Sequence, residues 1–250
     1  MRCSPVSAAI LLLFVASPAF AQDAPGPWTG FYAGLNAGYA FGKTNAATTG
    51  QATVNNNTVA DGARPAFTKL DKDGFIGGGQ IGFNWQDGSI VYGLEADLQD
   101  ADVRDVRNNV TTGTAFPGVR NNLFRQELEW LGTFRGRIGY DMGGVMVYGT
   151  GGLAYGGVNN SANFSGPLPA AVPQFQGGIN NTKYGWTAGG GLEYALDANW
   201  SVKTEYLYYD LGRNTVPVGV IPGSGGAGTG YNVNFNNYGH LARAGLNYRF

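Results

Sequence analysis

The chain ends with HLARAGLNYRF, from His240 to Phe250, and this stretch alternates between two kinds of side chain. Arg243 and Arg249 fall on one parity together with small or polar residues. The other parity is apolar: Ala242, Ala244, Leu246, Tyr248 and Phe250. Because a period of two is typical of a β-strand, the stretch predicts a strand with one polar and one apolar face. A soluble sheet would turn the arginines towards water, whereas a membrane barrel would turn them inwards.

The first 21 residues have the organisation of a secretory signal peptide. Arg2 gives a positive start, residues 8–15 (AAILLLFV) form a short apolar core, and Ala19 and Ala21 form an A-x-A cleavage site. We therefore expect cleavage after Ala21, a short periplasmic segment over residues 22–28, and one barrel domain over residues 29–250.

The composition limits the class of protein. Lys and Arg number 16 against 17 Asp and Glu, which argues against a nucleic-acid partner. Charged residues make up 13% of the chain, whereas soluble domains average about 25%. The one cysteine, Cys3, falls in the signal segment, so we expect no disulfide and no cysteine-based metal site. No later apolar run is long enough for a transmembrane helix, and strands that are apolar only at alternate positions favour a closed membrane barrel.

Eight segments have the periodicity of strands: residues 29–41, 75–86, 90–99, 128–140, 145–156, 184–194, 202–209 and 238–250. In the fourth segment Leu128 falls on the apolar face and Glu129 on the polar face. The fifth segment has no clear polar face, so its orientation stays open.

The connections between these segments alternate in length. Tight turns rich in Asp, Gly and Asn cover residues 86–89, 141–144 and 196–200, and long segments cover residues 42–74, 100–127, 157–183 and 210–237. Short periplasmic turns and long extracellular loops are typical of outer-membrane barrels. The predicted fold is all-β: an eight-stranded antiparallel transmembrane β-barrel with short periplasmic turns, four long extracellular loops and both termini in the periplasm.

Ten charged side chains fall on the polar parity. The acids are Glu95, Asp97, Glu129, Glu193 and Glu205, and the bases are Arg135, Arg137, Lys203, Arg243 and Arg249. The interior of an eight-stranded barrel is just wide enough for its side chains, and an unpaired buried charge is costly, so we predict that these groups pair inside the barrel. Outward aromatic side chains are predicted to form interfacial girdles: Tyr92, Trp130, Tyr140, Tyr148, Trp186, Tyr194, Tyr208 and Tyr248. The alternative is a soluble barrel of lipocalin type, apolar inside, which would hold the aromatic side chains in its interior and have an outer wall poor in charge.

Several segments together resemble a known family. GFIGGGQIGFNWQ (74–86), VYGLEADL (91–98), GWTAGGGLEYAL (185–196) and RAGLNYRF (243–250) are similar to the small outer-membrane barrel proteins of α-proteobacteria. This is the RopB-type group of major surface antigens in the OmpA-like barrel superfamily. The resemblance implies an integral protein of the outer membrane, of porin-family type, with roles in envelope integrity and host contact; some relatives are described as haem binders. It also implies that three residues form the signal read by the barrel-assembly machinery: Leu246, Tyr248 and Phe250.

A structural and surface-interaction role is the main functional prediction. The alternatives are a narrow pore for small solutes, which paired charges across the lumen would obstruct, and a surface receptor for haem or another ligand. Catalysis is not expected, because His240 is the one histidine and position 242, where an outer-membrane deacylase would place its serine, is alanine. We expect no metal and no cofactor. The expected partners are outer-membrane lipid, lipopolysaccharide, the assembly machinery and host ligands at the loops, and the expected state is a monomer.

Overall fold

The computed structural model describes residues 27–250, so the predicted cleavage site at Ala19 and Ala21, and most of the segment 22–28, lie outside the described residues. Within the described part, the elements in chain order are β1 (Gly30–Gly50), α1 (Thr53–Ala60), β2 (Phe67–Asp87), β3 (Ile90–Thr111), β4 (Arg120–Asp141), β5 (Val145–Pro167), β6 (Pro173–Ala195), β7 (Trp200–Val220) and β8 (Gly230–Arg249).

The strands close into one antiparallel barrel in sequence order, and β1 pairs with β8. The prediction of an eight-stranded antiparallel barrel is therefore confirmed. We call the end that carries Trp28, Phe250 and the three tight turns the turn end, and the opposite end the lid end. Among the described residues, no helix is both long and apolar enough to cross a membrane.

The four segments predicted as long loops are mostly strand, which corrects the predicted boundaries. The strands have 20 to 23 residues, and the connections at the lid end shrink to residues 51–66, 112–119, 168–172 and 221–229. The prediction missed these strand halves because they are rich in Asn, Gly, Thr and Pro, a composition typical of loops; in addition, their facing is inverted. Near the turn end, apolar side chains point outwards. Near the lid end, most large apolar side chains point inwards and the outer wall is mainly polar, with Phe67, Val106 and Val110 as exposed exceptions.

Strand β5 shows this inversion within one element. Near the turn end Leu153 is 65% exposed, whereas near the lid end Phe164 is fully buried. The outward positions on that upper part are half-buried polar residues: Asn159, Ser161, Asn163 and Ser165. We call the two parts of the barrel the apolar-out half and the polar-out half. The polar-out half therefore has the arrangement of the soluble-barrel alternative, with apolar side chains inside and polar side chains outside.

The register between β4 and β5 shifts between Leu128 and Trp130. Such a bulge places one extra residue in a strand. The alternation of inward and outward side chains after the bulge therefore does not continue through the residues before it. Leu128, predicted to face outwards, is 2% exposed in the barrel core as a result. Strand β5, whose orientation the sequence left open, turns Met146 and Tyr148 inwards and Val147 outwards. The placement of Tyr148 in an outer girdle is therefore wrong.

The barrel interior is filled in layers along its axis. At the turn end, Trp28 packs with Val91, Met146 and Tyr148. Above them come the buried charges described below, then an apolar cluster around Leu128, Leu207 and Leu241. A polar layer follows, made of Thr44, Lys72, Gln126, Asn160, Asn214 and Asn237. The outer cluster closes the lid end, and its members are Ala46, Leu70, Phe124, Ala162, Phe164, Phe175, Val216, Val218, Tyr231, Val233 and Phe235.

Candidate functional site

Eight of the ten predicted interior charges come together inside the apolar-out half, and each is 5% exposed or less. We call these the charge network: Glu95, Asp97, Glu193, Glu205, Arg135, Arg137, Lys203 and Arg243. They come from strands β3, β4, β6, β7 and β8, at alternate positions whose side chains point inwards. Four negative and four positive groups make the network formally neutral, which matters because each charge lies in a barrel interior closed to bulk water.

Arg135 lies at the centre of the network. Its Nη2 forms ion pairs with Glu95 and with Asp97 Oδ2, the latter at 3.0 Å, and its Nη1 lies 2.9 Å from Glu205 Oε1. Its Nε donates to Thr133 Oγ1 at 2.9 Å. The guanidinium therefore uses its planar fork to join three carboxylates, a geometry that the single ammonium of a lysine does not reproduce.

The carboxylates are satisfied from several strands at once. Lys203 Nζ lies 2.7 Å from Glu95 Oε2, which also accepts the Tyr32 hydroxyl at 2.7 Å. On the other side, Arg243 Nε donates to Glu205 Oε2 at 2.7 Å, and Tyr148 Oη donates to Glu205 Oε1 at 3.0 Å. Because the partners of one carboxylate come from different strands, the contacts tie opposite walls of the barrel together.

The second part of the network lies nearer the turn end. Arg137 Nη1 is 2.8 Å from Glu193 Oε2, and Glu193 also accepts hydrogen bonds from Ser201 Oγ at 2.6 Å and Asn247 Nδ2 at 2.8 Å. The Arg137 guanidinium carbon lies 5.0 Å from the Tyr32 ring centre and 5.2 Å from that of Tyr148. Neither tyrosine was predicted to contribute, because the network was predicted from charged residues alone and Tyr148 was assigned to an outer girdle.

Glycines provide the room for these long side chains. A Cβ at Gly38 would lie 2.6 Å from the Cβ of Arg243, and a Cβ at Gly93 would lie 2.2 Å from Asn84 Oδ1. Contacts this short force a neighbour to move, so the inward glycines and the inward charges depend on each other.

Two predicted members lie outside the network, which corrects the predicted set of ten. Glu129 is the extra residue of the β4 bulge, and its Oε1 accepts a hydrogen bond from Asn180 Nδ2 on the outer surface. Arg249 lies half-buried at the turn end, 5.9 Å from the Trp28 ring centre, where it donates to the Ala198 carbonyl. One acid and one base are lost, so the charge balance is unchanged.

The residues predicted as the assembly signal lie on the outer face of β8 or just after it. Leu246 and Phe250 are 45% and 73% exposed, and the Tyr248 ring packs edge-on against Phe250 at 5.2 Å and against Trp200 at 5.1 Å. They form an exposed apolar edge, and their role as a recognition signal remains a prediction.

His240 belongs to an aromatic group on the outer wall, where apolar side chains give way to polar ones. Its Nδ1 lies 2.7 Å from Tyr206 Oη, and its ring stacks on those of Phe41 and Tyr206 at 5.6 and 5.8 Å. In the part of the chain that the structure describes, His, Cys, Asp and Glu form no group of three or more suited to a metal ion.

At the lid end, the connection 51–66, which includes α1, lies across the mouth of the barrel; we call it the lid. Arg64 of the lid is 2% exposed and reaches down to the outer cluster. This contact was not predictable from the sequence, because Arg64 lies in a segment without periodicity.

Comparison with known proteins shows the family to which this barrel belongs. A family model described as the outer membrane protein beta-barrel domain matches residues 7–250. The 31 kDa outer-membrane immunogenic protein of Brucella melitensis is 39% identical over 226 residues, covering 89% of this chain and 84% of that protein. The 22 kDa outer membrane protein of Rhizobium leguminosarum is 33% identical over 196 residues, covering 76% and 69%.

Among solved structures, the outer membrane protein OprG from Pseudomonas aeruginosa aligns with a TM-score of 0.51 and 16% identity, over 91% of this chain and 99% of that one. At that identity the likeness concerns the fold alone. The predicted family resemblance is confirmed by the family model and by the two relatives from α-proteobacteria. The chain belongs to the outer membrane protein beta-barrel domain family.

Proposed function

We propose that this protein is a closed outer-membrane barrel that reinforces the envelope and presents a polar outer half to the cell exterior. The apolar-out half is the membrane anchor, the turn end faces the periplasm, and the lid end faces outwards. The observation that supports this proposal most directly is the charge network. It ties opposite walls of the barrel together and fills the cross-section of the lumen that a pore would leave open.

The distribution of apolar side chains supports this orientation. Leu35 and Leu153 are 73% and 65% exposed on the apolar-out half, an arrangement that only lipid favours. The strands are about twice the ~9–11 residues that cross a bilayer, so about half of each strand lies outside the hydrocarbon region. Outer-membrane barrels place short turns in the periplasm, and the turn end has the three tightest connections.

The filled interior favours the structural role over a pore. Above the charge network, Gln126 Nε2 donates to Asn237 Oδ1 at 2.9 Å, and Thr44 Oγ1 donates to Gln126 Oε1 at 2.8 Å, so side chains span the lumen at a second level. The lid covers a third level. A solute would have to break polar and apolar contacts at every level to pass.

The outer wall supports contact with lipopolysaccharide. Lys43 and Arg104, on the polar-out half, have side chains 86% and 57% exposed. Lysine and arginine bind phosphate readily, and neighbouring Asn and Ser side chains suit sugar hydroxyls. We propose that this wall is embedded in the headgroup and saccharide layer of the outer leaflet.

The same site supports a non-catalytic role. The buried carboxylates have arginine or lysine partners, which is a sufficient structural task, and His240 has a tyrosine hydroxyl as its partner on the outer wall. The relatives are likewise named as outer-membrane or immunogenic proteins.

The proposal is tested in a strain that lacks the protein. We expect faster entry of an apolar dye that an intact outer membrane excludes, and unchanged uptake of a small hydrophilic solute. Restoring the wild-type chain should reverse the dye entry, and Arg135→Ala, which breaks the charge network, should reverse it less well. Slower solute uptake with normal dye exclusion would instead support a pore and overturn the structural role.

A further inference from the structure

The mouth of the barrel contains an aromatic cage around a guanidinium group. The Cζ of Arg64 lies 5.3 Å from the ring centre of Phe164, 5.6 Å from that of Phe175 and 5.9 Å from that of Tyr231. Its Nη1 donates to Asn122 Oδ1 at 2.8 Å. Among the described residues, no carboxylate forms an ion pair with Arg64, so its charge is balanced by ring faces and amide oxygens.

The cage belongs to the barrel and not to the lid. Its members lie on β4, β5, β6 and β8, and the rings pack on each other: Tyr231 lies 5.2 Å from Phe164 and 5.0 Å from Phe175, with both pairs edge-on. A fourth ring, Phe124, supports Phe164 at 5.5 Å. The rings are carried by the strands and not by the lid, so we expect the cage to persist when Arg64 is removed.

The lid that supplies Arg64 is held by polar contacts together with two small apolar ones, Val59 packed on the outer cluster and the buried Ala63. Asn55 donates to the Ala227 carbonyl at 2.9 Å and accepts from the Thr229 amide at 3.2 Å, while Asp61 accepts backbone amides of the 112–119 connection. Helix α1 has eight residues, buries only Asn55, and has no side-chain hydrogen bond at its N-cap. A helix this short is marginal by itself, and a segment with few buried apolar contacts opens more readily than the strands beneath it.

We propose that this cage is a binding site for the arginine side chain of a partner polypeptide, occupied here by the chain's own Arg64. The contacts suit a flat, delocalised cation better than a compact ammonium, since a guanidinium stacks on rings and donates in its plane. When the lid lifts, three ring faces and the Asn122 amide become available to a second guanidinium from outside the cell.

A polypeptide fits this site better than a free small cation. Arg64 is tethered, so its effective concentration at the cage is on the order of millimolar. A lone cation must exceed that concentration to displace Arg64. A polypeptide that also contacts the rim of the barrel gains further binding energy and can compete.

The test uses a thiol placed under the lid. Cys3 is the one cysteine of the chain, so Ala162→Cys in protein without the signal segment gives a single thiol at a fully buried position of the outer cluster. We expect slow labelling by a charged thiol reagent with the normal lid, and labelling at least tenfold faster with Arg64→Ala. Millimolar N-acetyl-arginine amide should slow labelling of the Arg64→Ala protein, whereas the neutral N-acetyl-citrulline amide should not.

Arg104→Ala is the matched control, because the Arg104 side chain is 57% exposed on the outer wall and pairs with Asp102 instead of contacting the lid or the cage. It should leave the labelling rate unchanged. Heat-dependent gel mobility checks folding, and Arg64→Gln, which removes the charge but keeps a polar side chain of similar length, gives the same comparison if Arg64→Ala does not fold. Equal slowing by the arginine and citrulline compounds, or slowing by neither, would overturn the site. If the amide binds and a short peptide with one arginine does not, the cage takes small cations and the polypeptide partner is wrong.

Discussion

Arg135 makes the charge network cooperative, because one guanidinium contacts three carboxylates. Its removal leaves Glu95, Asp97 and Glu205 with less positive charge than they need in an interior closed to bulk water. Buried ion pairs contribute little net stability when both partners are present, but they are costly to break on one side. The network therefore specifies how the strands are arranged around the barrel more than it adds to the free energy of unfolding.

Arg135→Ala should lower the free energy of unfolding by on the order of 3–5 kcal/mol, because it leaves buried carboxylates uncompensated. Unfolding in urea, followed in lipid vesicles, measures the loss. The control is Arg104→Ala, which removes an exposed partner of Asp102 and should cost under about 1 kcal/mol. Adding Glu205→Gln to Arg135→Ala should recover part of the loss; strictly additive losses would contradict direct coupling of the pair.

Asp61 of the lid gives a pH-dependent contact. Its carboxylate accepts the Ala115 amide at 2.9 Å, the Phe116 amide at 3.0 Å and the Thr114 amide at 3.1 Å, and these hydrogen bonds, Ala115 first, hold the pKa of Asp61 below its ordinary value. Because the pKa of Asp61 is lowered in the closed lid, its hydrogen bonds stabilise the closed lid fully at a pH above the pKa that Asp61 has in the open lid. The contribution is lost as the pH falls through the lowered pKa.

The amide chemical shifts of the 112–119 connection should therefore titrate in acid with a midpoint below that of a free aspartate, since protonation of Asp61 weakens the three hydrogen bonds. NMR of the refolded barrel measures that midpoint. Asp61→Asn should abolish the titration. A midpoint at or above the ordinary value would show that the carboxylate does not hold these amides.

At the scale of elements, each strand carries two opposite patterns in one run of residues. In β1, Leu35 points outwards near the turn end and is 73% exposed, whereas Ala46 points inwards near the lid end and is fully buried. In the orientation proposed above, the first pattern meets the hydrocarbon region and the second meets the hydrated headgroup and saccharide layer. The change between them lies at the outward aromatic residues such as Phe41 and Trp186, which suit a membrane interface.

Cysteines on the outer face of β5 should report this boundary. Leu153→Cys should react with a lipid-dissolved thiol reagent, and Ser161→Cys, eight residues further along the same face, with a water-soluble one, because the first position lies in the apolar-out half and the second above it. Ala154→Cys, on the inner face of the same strand and 1% exposed, is the control that neither reagent should label. Labelling of Ser161→Cys by the lipid-dissolved reagent would show that the proposed membrane boundary is wrong.

Sequence reasoning found the membrane half of this fold because its pattern, apolar outside and charged inside, is unusual and repeats in eight segments. It missed the polar-out half because Asn, Ser and Gly in long runs read as loop, although Val158, Ala162 and Phe164 alternate correctly for an inward face. It misplaced Leu128 and Glu129 because a one-residue bulge leaves no mark in composition. The contact between Arg64 and the cage depends on residues distant in sequence that only the closed barrel brings together.

At the scale of the whole molecule, the barrel is a filled cylinder with a membrane anchor and a projecting part. About ten residues of each strand beyond the membrane, at ~3.3 Å each and tilted by ~40°, give a projection of about 25 Å. In the proposed orientation, that height places the lid and its cage beyond the lipid headgroups. Interior side chains at several levels fill the projecting part.

Planar-bilayer recording of the refolded wild-type protein tests the filled lumen most directly. The account predicts no steady conductance steps at potentials where a known porin, reconstituted in the same way, gives them. Large, stable and ion-selective steps from the wild-type chain would mean that the charge network and the layers above it leave an open path, and would contradict the account.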